Sequence, residues 1–210
     1  MPRSTPRRAA CASALCLTAV PATAAPALAA PQLGLHHKTL DVKVGQRLAV
    51  TGHLFGLAPG ASRPTARLQV RRGHRWATLD RARVSATGRF ALLRRARVAE
   101  SAPGRVRLSS GQTRRLGRLS VYRYAEASWY GPGLYGGHLG CGGTLTPGRL
   151  GVANKSLPCG SRVTLRHGGR SVRVRVVDRG PYVAGREFDL TAATAARLHF
   201  RGHGAILVSR

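Results

Sequence analysis

The chain has 210 residues, with 35 Lys and Arg against 7 Asp and Glu, for a formal net charge of +28. Only Lys38, Lys43 and Lys155 are lysines, so the excess is almost all arginine; codon usage in a G+C-rich genome produces part of that, independent of function. A field of this sign disfavours cationic partners and favours polyanions, and no run of apolar residues is long enough for a transmembrane helix.

The N-terminus reads as a secretory signal peptide over residues 1–30. Arg3, Arg7 and Arg8 precede an apolar run from Ala9 to Val20, and a small-residue zone follows, with cleavage expected near Ala24 or Ala29. Cys16 follows Leu15, where a lipid-attachment site would carry a small residue, so lipidation is not expected. Processing removes Cys11, Cys16 and three arginines and leaves a secreted or cell-wall-associated protein. Its polyanions are then wall polymers and phospholipid headgroups. No nucleic-acid-binding motif is present.

Residues 36–123 alternate short strand patterns with turn residues. Val42 and Val44, then Leu48 and Val50, are followed by R-L-Q-V, R-W-A-T-L, G-R-F-A-L-L, R-V-R-L-S and G-R-L-S-V-Y. The breaks between them are A-P-G-A-S, R-R-G-H, A-T-G, S-A-P-G and S-S-G. This spacing predicts an all-β sandwich, with Trp76 and Phe90 in its core. The Q-V-R-R-G-H-R-W-A-T-L and S-A-T-G-R-F segments resemble immunoglobulin-like modules of exported actinobacterial proteins, which implies a spacer or wall-contact module.

A boundary is expected between Tyr122 and Ala125, where arginine density drops and glycine rises. Residues 125–210 then read as a strand from Ala127 to Tyr130, a glycine-rich loop reaching Cys141, and a hairpin around Gly168-Gly169. A short helix that Thr191 can cap and a last strand from Gly204 to Val208 complete the pattern. About six strands and one helix suggest a small closed barrel. In an exported chain Cys141 and Cys159 are most simply a disulfide, with a stabilisation of about 3 kcal/mol for a loop of that size. The rival reading, metal ligation, lacks C-x-x-C or H-x-x-x-H spacing.

Acids are scarce enough here for two of them to stand out. Asp178 ends the run in which Val172, Val174 and Val176 share a strand face, and Asp189 lies eleven positions later, before the helix. One carboxylate closes a strand and the other opens a helix, an arrangement that can bring both to one rim. A turn acid and a helix-start acid account for the same spacing without any function.

The segments A-S-W-Y-G, L-P-C-G-S and V-R-V-V-D-R-G-P-Y-V-A-G-R-E-F-D-L-T-A-A-T-A-A-R-L resemble the rare lipoprotein A family. The resemblance implies a six-stranded double-psi β-barrel with a short helix, related to barwin, expansins and family-45 glycoside hydrolases. It also implies action at peptidoglycan or another anionic wall polysaccharide, either as a lytic transglycosylase or as an expansin-like binder without hydrolysis. On the enzyme reading Asp178 and Asp189 are catalytic, with Asp178 as acid/base. Trp129, Tyr130, Asn154, Arg179 and Tyr182 contact substrate, and no metal or cofactor is required. The acid must hold a proton near neutral pH, and Arg173, Arg175, Arg179 and Arg186 oppose that. The chain departs from the family at Asn154, where many members have histidine, which removes a titratable group. Cys141 and Cys159 together replace non-cysteine positions. Nothing in the chain specifies an oligomeric state.

Overall fold

The computed structural model describes residues 30–210. The signal peptide and its cleavage site lie outside the described residues. Thirteen strands and one helix follow in order: β1 Gln32–Thr39, β2 Asp41–Lys43, β3 Arg47–Phe55, β4 Thr65–Arg72, β5 Arg75–Arg83, β6 Arg89–Arg95, β7 Glu100–Leu108, β8 Thr113–Tyr130, β9 Val152–Ala153, β10 Arg162–His167, β11 Arg170–Asp178, β12 Phe188–Thr191, α1 Ala192–Leu198 and β13 Gly204–Ser209.

In the N-terminal half a three-stranded sheet, β1-β3-β6, faces the sheet formed by β5, β4, β7, the first part of β8 and β2. Alternation supplies the contact between them. Leu33, Val50, Leu54, Phe90 and Leu92 from the first sheet meet Leu68, Val106 and Leu108 from the second. Strand β1 begins at Gln32, before the His36 expected from the pattern. The S-A-P-G segment, expected as a break, lies inside β7. Pairing with β4 ends at Gly104, so Pro103 sits where β7 has a neighbour only on the β8 side and its missing N–H is tolerated.

Strand β8 is 18 residues long and runs unbroken through the expected boundary at Tyr122 to Ala125. Its first part closes the N-terminal sheet and its last part, Arg123 to Tyr130, belongs to the barrel. There the order β12-β9-β11-β10-β13-β8 closes through a direct β12–β8 pairing, giving six strands around one core. Ala127, Val152, Val163, Leu165, Val174, Val176, Phe188, Leu190 and Leu198 fill that core. The β10–β11 hairpin turns at Gly168-Gly169, both with positive φ, which glycine adopts without steric cost. Thr191 caps α1 by accepting from the Thr194 amide, as the residue pattern predicts.

The two halves also touch beyond β8. The Ser101 amide donates to the Arg210 carbonyl at 2.6 Å, the Ser101 hydroxyl lies 3.3 Å from that of Thr164, and Arg123 forms an ion pair with Glu187.

Candidate active site

Strand β9 is only two residues long, yet it organises the site. Ala153 pairs with Asp178 of β11 on one side and with Asp189 of β12 on the other. Residues in register across a sheet point to the same face, so both carboxylates share the outer face of the barrel, two strand spacings or about 10 Å apart at Cα. Ser128 of β8 pairs in turn with Asp189, and Tyr130 lies two residues further on that face.

Strict alternation would send Asp178 into the core with Val174 and Val176. A β-bulge prevents this. Val176 pairs with Val152 and Asp178 with Ala153, so Val177 is the extra residue and the face of β11 switches there. Val177 then points outward beneath the glycine-rich loop, where it packs with Leu139, Leu145 and Tyr130. Gly151 makes the bulge possible: a Cβ there would lie 2.3 Å from Val177 Cγ2.

The loop reaches back to the first acid. Asp178 Oδ1 accepts from the Gly140 amide at 2.7 Å and from the Arg179 amide at 2.8 Å. The approach is close, since a Cβ on Gly140 would lie 3.0 Å from that oxygen. The next residue of the loop, Cys141, is bonded to Cys159, with Cα atoms 5.4 Å apart, and its amide donates to the Val177 carbonyl. The disulfide expected from the cysteine count therefore clamps the loop that holds Asp178.

Asp189 has a different environment. Ser128 Oγ donates to its Oδ1 at 2.9 Å. Burial raises its pKa, and the nearby Asp178 adds to this; the Ser128 hydrogen bond and the Arg186 charge oppose it. The Tyr130 hydroxyl is buried and has no hydrogen-bond partner. Asp178 is near enough to act on it both as a charge and as an acceptor, although no partner meets full hydrogen-bond geometry. Burial, then the charge and the acceptor oxygen of Asp178, then the Asp189 charge, push the phenol up, and Arg149 pulls the other way. Tyr130 therefore stays neutral, with an O–H that can donate beside two carboxylates.

The remaining sequence-derived residues divide. Trp129 lies on β8 between Ser128 and Tyr130 and so on the opposite face; it is exposed at the barrel rim. Tyr182 is 82% exposed, beyond the cis Gly180–Pro181 bond. Arg179 turns its guanidinium to the carbonyls of Asn154 and Leu157, at 3.0 and 2.7 Å, and to Cys159 Sγ. Asn154 is buried at 3% exposure. Its Oδ1 accepts from the amides of Ser156 and Leu157, and its Nδ2 donates to the Glu187 carbonyl. Both side chains thus hold the loop that carries Cys159. Of the arginines expected to oppose a proton on the pair, Arg186 acts on Asp189, whereas Arg173 and Arg175 line a separate hollow with Leu150 and Arg162. Sequence reasoning missed Ser128, Gly140, Arg149 and Gly151. The small residue before Trp129 and the glycine before Val152 were the available signals.

A depression of about 800 Å³ lies on the N-terminal half, lined by His36, His53, Arg83, Arg89 and Phe90, and holds no carboxylate. Among the described residues no set of three or more His, Cys, Asp or Glu side chains is placed to hold a metal, and no helix is long and apolar enough to cross a membrane.

Residues 123–209 match the family model described as "Lytic transglycolase". The barrel is similar to "Probable endolytic peptidoglycan transglycosylase RlpA" of Synechocystis, 42% identical over 84 residues, which are 38% of this chain and 26% of that protein. It is also similar to "Endolytic peptidoglycan transglycosylase RlpA" of Campylobacter jejuni, 40% identical over 80 residues, 37% of this chain and 29% of the relative. The chain thus spans less than a third of the length of either relative. Among solved structures, "Streptomyces papain inhibitor (SPI)" aligns with 42% of this chain and 94% of its own, at 21% identity and a TM-score of 0.33. Residues 123–209 form an RlpA-like double-psi β-barrel domain.

Proposed function

We propose that the protein is exported, acts on peptidoglycan glycan strands and cleaves them as a lytic transglycosylase. The observation that carries this reading is the pair Asp178 and Asp189 on one outer face, flanking Ala153, with the buried and unpartnered Tyr130 hydroxyl beside them. The names of the matched relatives support the choice of substrate.

Burial favours the neutral form of Asp189, so this acid can hold a proton in the site. Asp178, at the end of β11, is the acid/base, and Asp189 is its catalytic partner across Ala153. The pair protonates the glycosidic oxygen as the C1–O bond breaks. The C6 hydroxyl of the same sugar then attacks C1 and returns its proton to the pair. The product is a 1,6-anhydro sugar, and no water is consumed. A positive charge develops at C1 during bond breaking, and the ionised member of the pair stabilises it. The free Tyr130 O–H can donate to a sugar oxygen in the groove. Tyr182 at the rim offers a ring face to a neighbouring sugar. Residues 36–123 serve as an immunoglobulin-like spacer.

Purified glycan strands incubated with the protein are expected to release 1,6-anhydro-muropeptides, detected by mass spectrometry. Asp178→Asn is expected to abolish release while the fold melts normally. No release from the wild-type protein, under conditions where a matched relative acts, sinks the enzyme reading. One observation favours a second reading, a non-catalytic wall-binding module: the Asn154 amide, at the position where the family resemblance implies a histidine in many members, is bonded to backbone. That reading predicts salt-sensitive co-sedimentation with peptidoglycan that survives Asp178→Asn.

A further inference from the structure

The outer face of the sheet made by β5, β4, β7 and the first part of β8 carries arginines in register. Leu68, Val70, Val106 and Leu108 turn into the sandwich. By alternation Arg67, Gln69 and Arg71 of β4, and Arg105 and Arg107 of β7, point the other way. One cross-strand row is Arg81, Arg67, Arg107. The next is Gln69, Arg105, Arg115. A third holds Trp76, which the strand pattern alone would place in the core, on this outer face opposite Arg71, and Pro103 opposite Arg118. Around this third row lies a depression of about 410 Å³ lined by Arg71, Trp76, Pro103, Arg115 and Arg118.

Like charges directly opposite each other destabilise a sheet. Here Arg67 stands between two arginines and Arg105 faces Arg115, yet no carboxylate occupies these rows. Asp80 is in register with Leu68, on the inner side, and accepts from the Leu93 amide. Glu100 is bonded to Arg72, and Asp41 lies beyond the rows, opposite Ser120. Arg67 Nε is buried without a hydrogen-bond partner. The positive field continues onto the barrel, where Arg118 is among the charges acting on Arg173.

We propose that this face is a docking surface for a linear phosphodiester polymer of the polyol-phosphate type. Same-face residues along a strand are about 6.8 Å apart and neighbouring strands about 4.8 Å, a grid suited to a chain with closely spaced charges. The guanidinium fork matches phosphate better than an ammonium does. Trp76 is the one aromatic side chain in these rows, and the Arg105 guanidinium covers its ring at 3.9 Å. The face therefore lacks the series of free rings on which single-stranded nucleic acid stacks its bases. The choice of a wall polymer also rests on the envelope reading above; the surface itself makes no use of the acid pair.

The test measures anisotropy of labelled poly(glycerol phosphate) with the full chain at graded salt. Arg71→Gln, Arg107→Gln and Arg115→Gln combined should weaken binding roughly tenfold or more and lower the salt slope by about 2. Arg47→Gln, Arg94→Gln and Arg95→Gln combined, which removes the same charge from the other sheet, should change affinity less than about threefold on the same grounds. If the first triple variant does not melt like the wild type, Arg107→Glu and Arg115→Glu singly replace it, each expected to weaken binding more than Arg94→Glu. Asp178→Asn should bind as the wild type does, which separates this surface from the catalytic groove. Equal losses in the two triples overturn the proposal. So does tighter binding of single-stranded DNA, or of anionic phospholipid vesicles, than of the polyol phosphate at the same salt.

Discussion

The two ends of β8 handle charge in opposite ways. Toward its N-terminus, Arg115 and Arg118 stand on an exposed face opposite Arg105 and Pro103, and no carboxylate joins them. Toward its C-terminus, Ser128 and Tyr130 stand beside Asp189, and beyond it Asp178, on a partly buried face closed by a loop and a disulfide. In the first region many like charges are tolerated because water screens them. In the second, two acids stand on one partly buried face, and burial shifts Asp189 toward its neutral form. The same strand thus carries a surface suited to holding a polymer and a groove suited to chemistry on one.

Four measurements would break or sharpen that contrast. The largest effect belongs to the acids: Asp178→Asn should lower glycan cleavage by about 10²-fold or more while leaving thermal stability near wild type, and equal cleavage would remove the catalytic half of the comparison. Next is Leu68→Ala, at a fully buried site of the N-terminal core, which should cost about 2–5 kcal/mol by denaturant titration. Because β8 is shared, one unfolding transition is expected; two separate transitions would show that the halves are independent. Gly151→Ala should cost about 1–3 kcal/mol by overpacking Val177, and should lower cleavage by displacing the bulge that aims Asp178. Arg123→Ala, which opens a half-exposed ion pair with Glu187, should cost less than about 1 kcal/mol and shrink in salt.

The pH dependence follows from Asp189. Its folded pKa lies above the unfolded value, so ionisation disfavours the folded state. No penalty exists below the unfolded pKa; it grows as pH rises past that value and is complete above the folded one. Asp189→Asn should therefore raise the melting temperature at neutral pH and leave it unchanged in acid, checked by scanning calorimetry at both. Cleavage should fall on the alkaline side as Asp189 loses its proton.

Much of this was legible before the structure. The strand patterns, the Gly168-Gly169 hairpin, the Thr191 cap and the pairing of Cys141 with Cys159 depend on neighbours in sequence or on simple counting, and all are present. The C-terminal motifs also pointed to the barrel. The expected break at S-A-P-G did not form, because a proline can sit in a strand wherever pairing on one side has ended. The boundary near Tyr122 is crossed by a continuous strand, because composition reports surface chemistry and hydrogen bonding does not follow it.

The acids, one at the end of β11 and the other just before the helix, were visible as rare residues, and their types and order came from sequence alone. Only the fold decided that they share a face. Alternation along β11 predicts Asp178 inside the core; the extra residue at Val177 turns it outward, and the pairing of both acids to Ala153 places them side by side. A bulge is a relation between two strands, and burial is a relation among many, so neither is written in a local pattern. The arginine rows have the same origin: sequence supplied the arginines, and register lined them up.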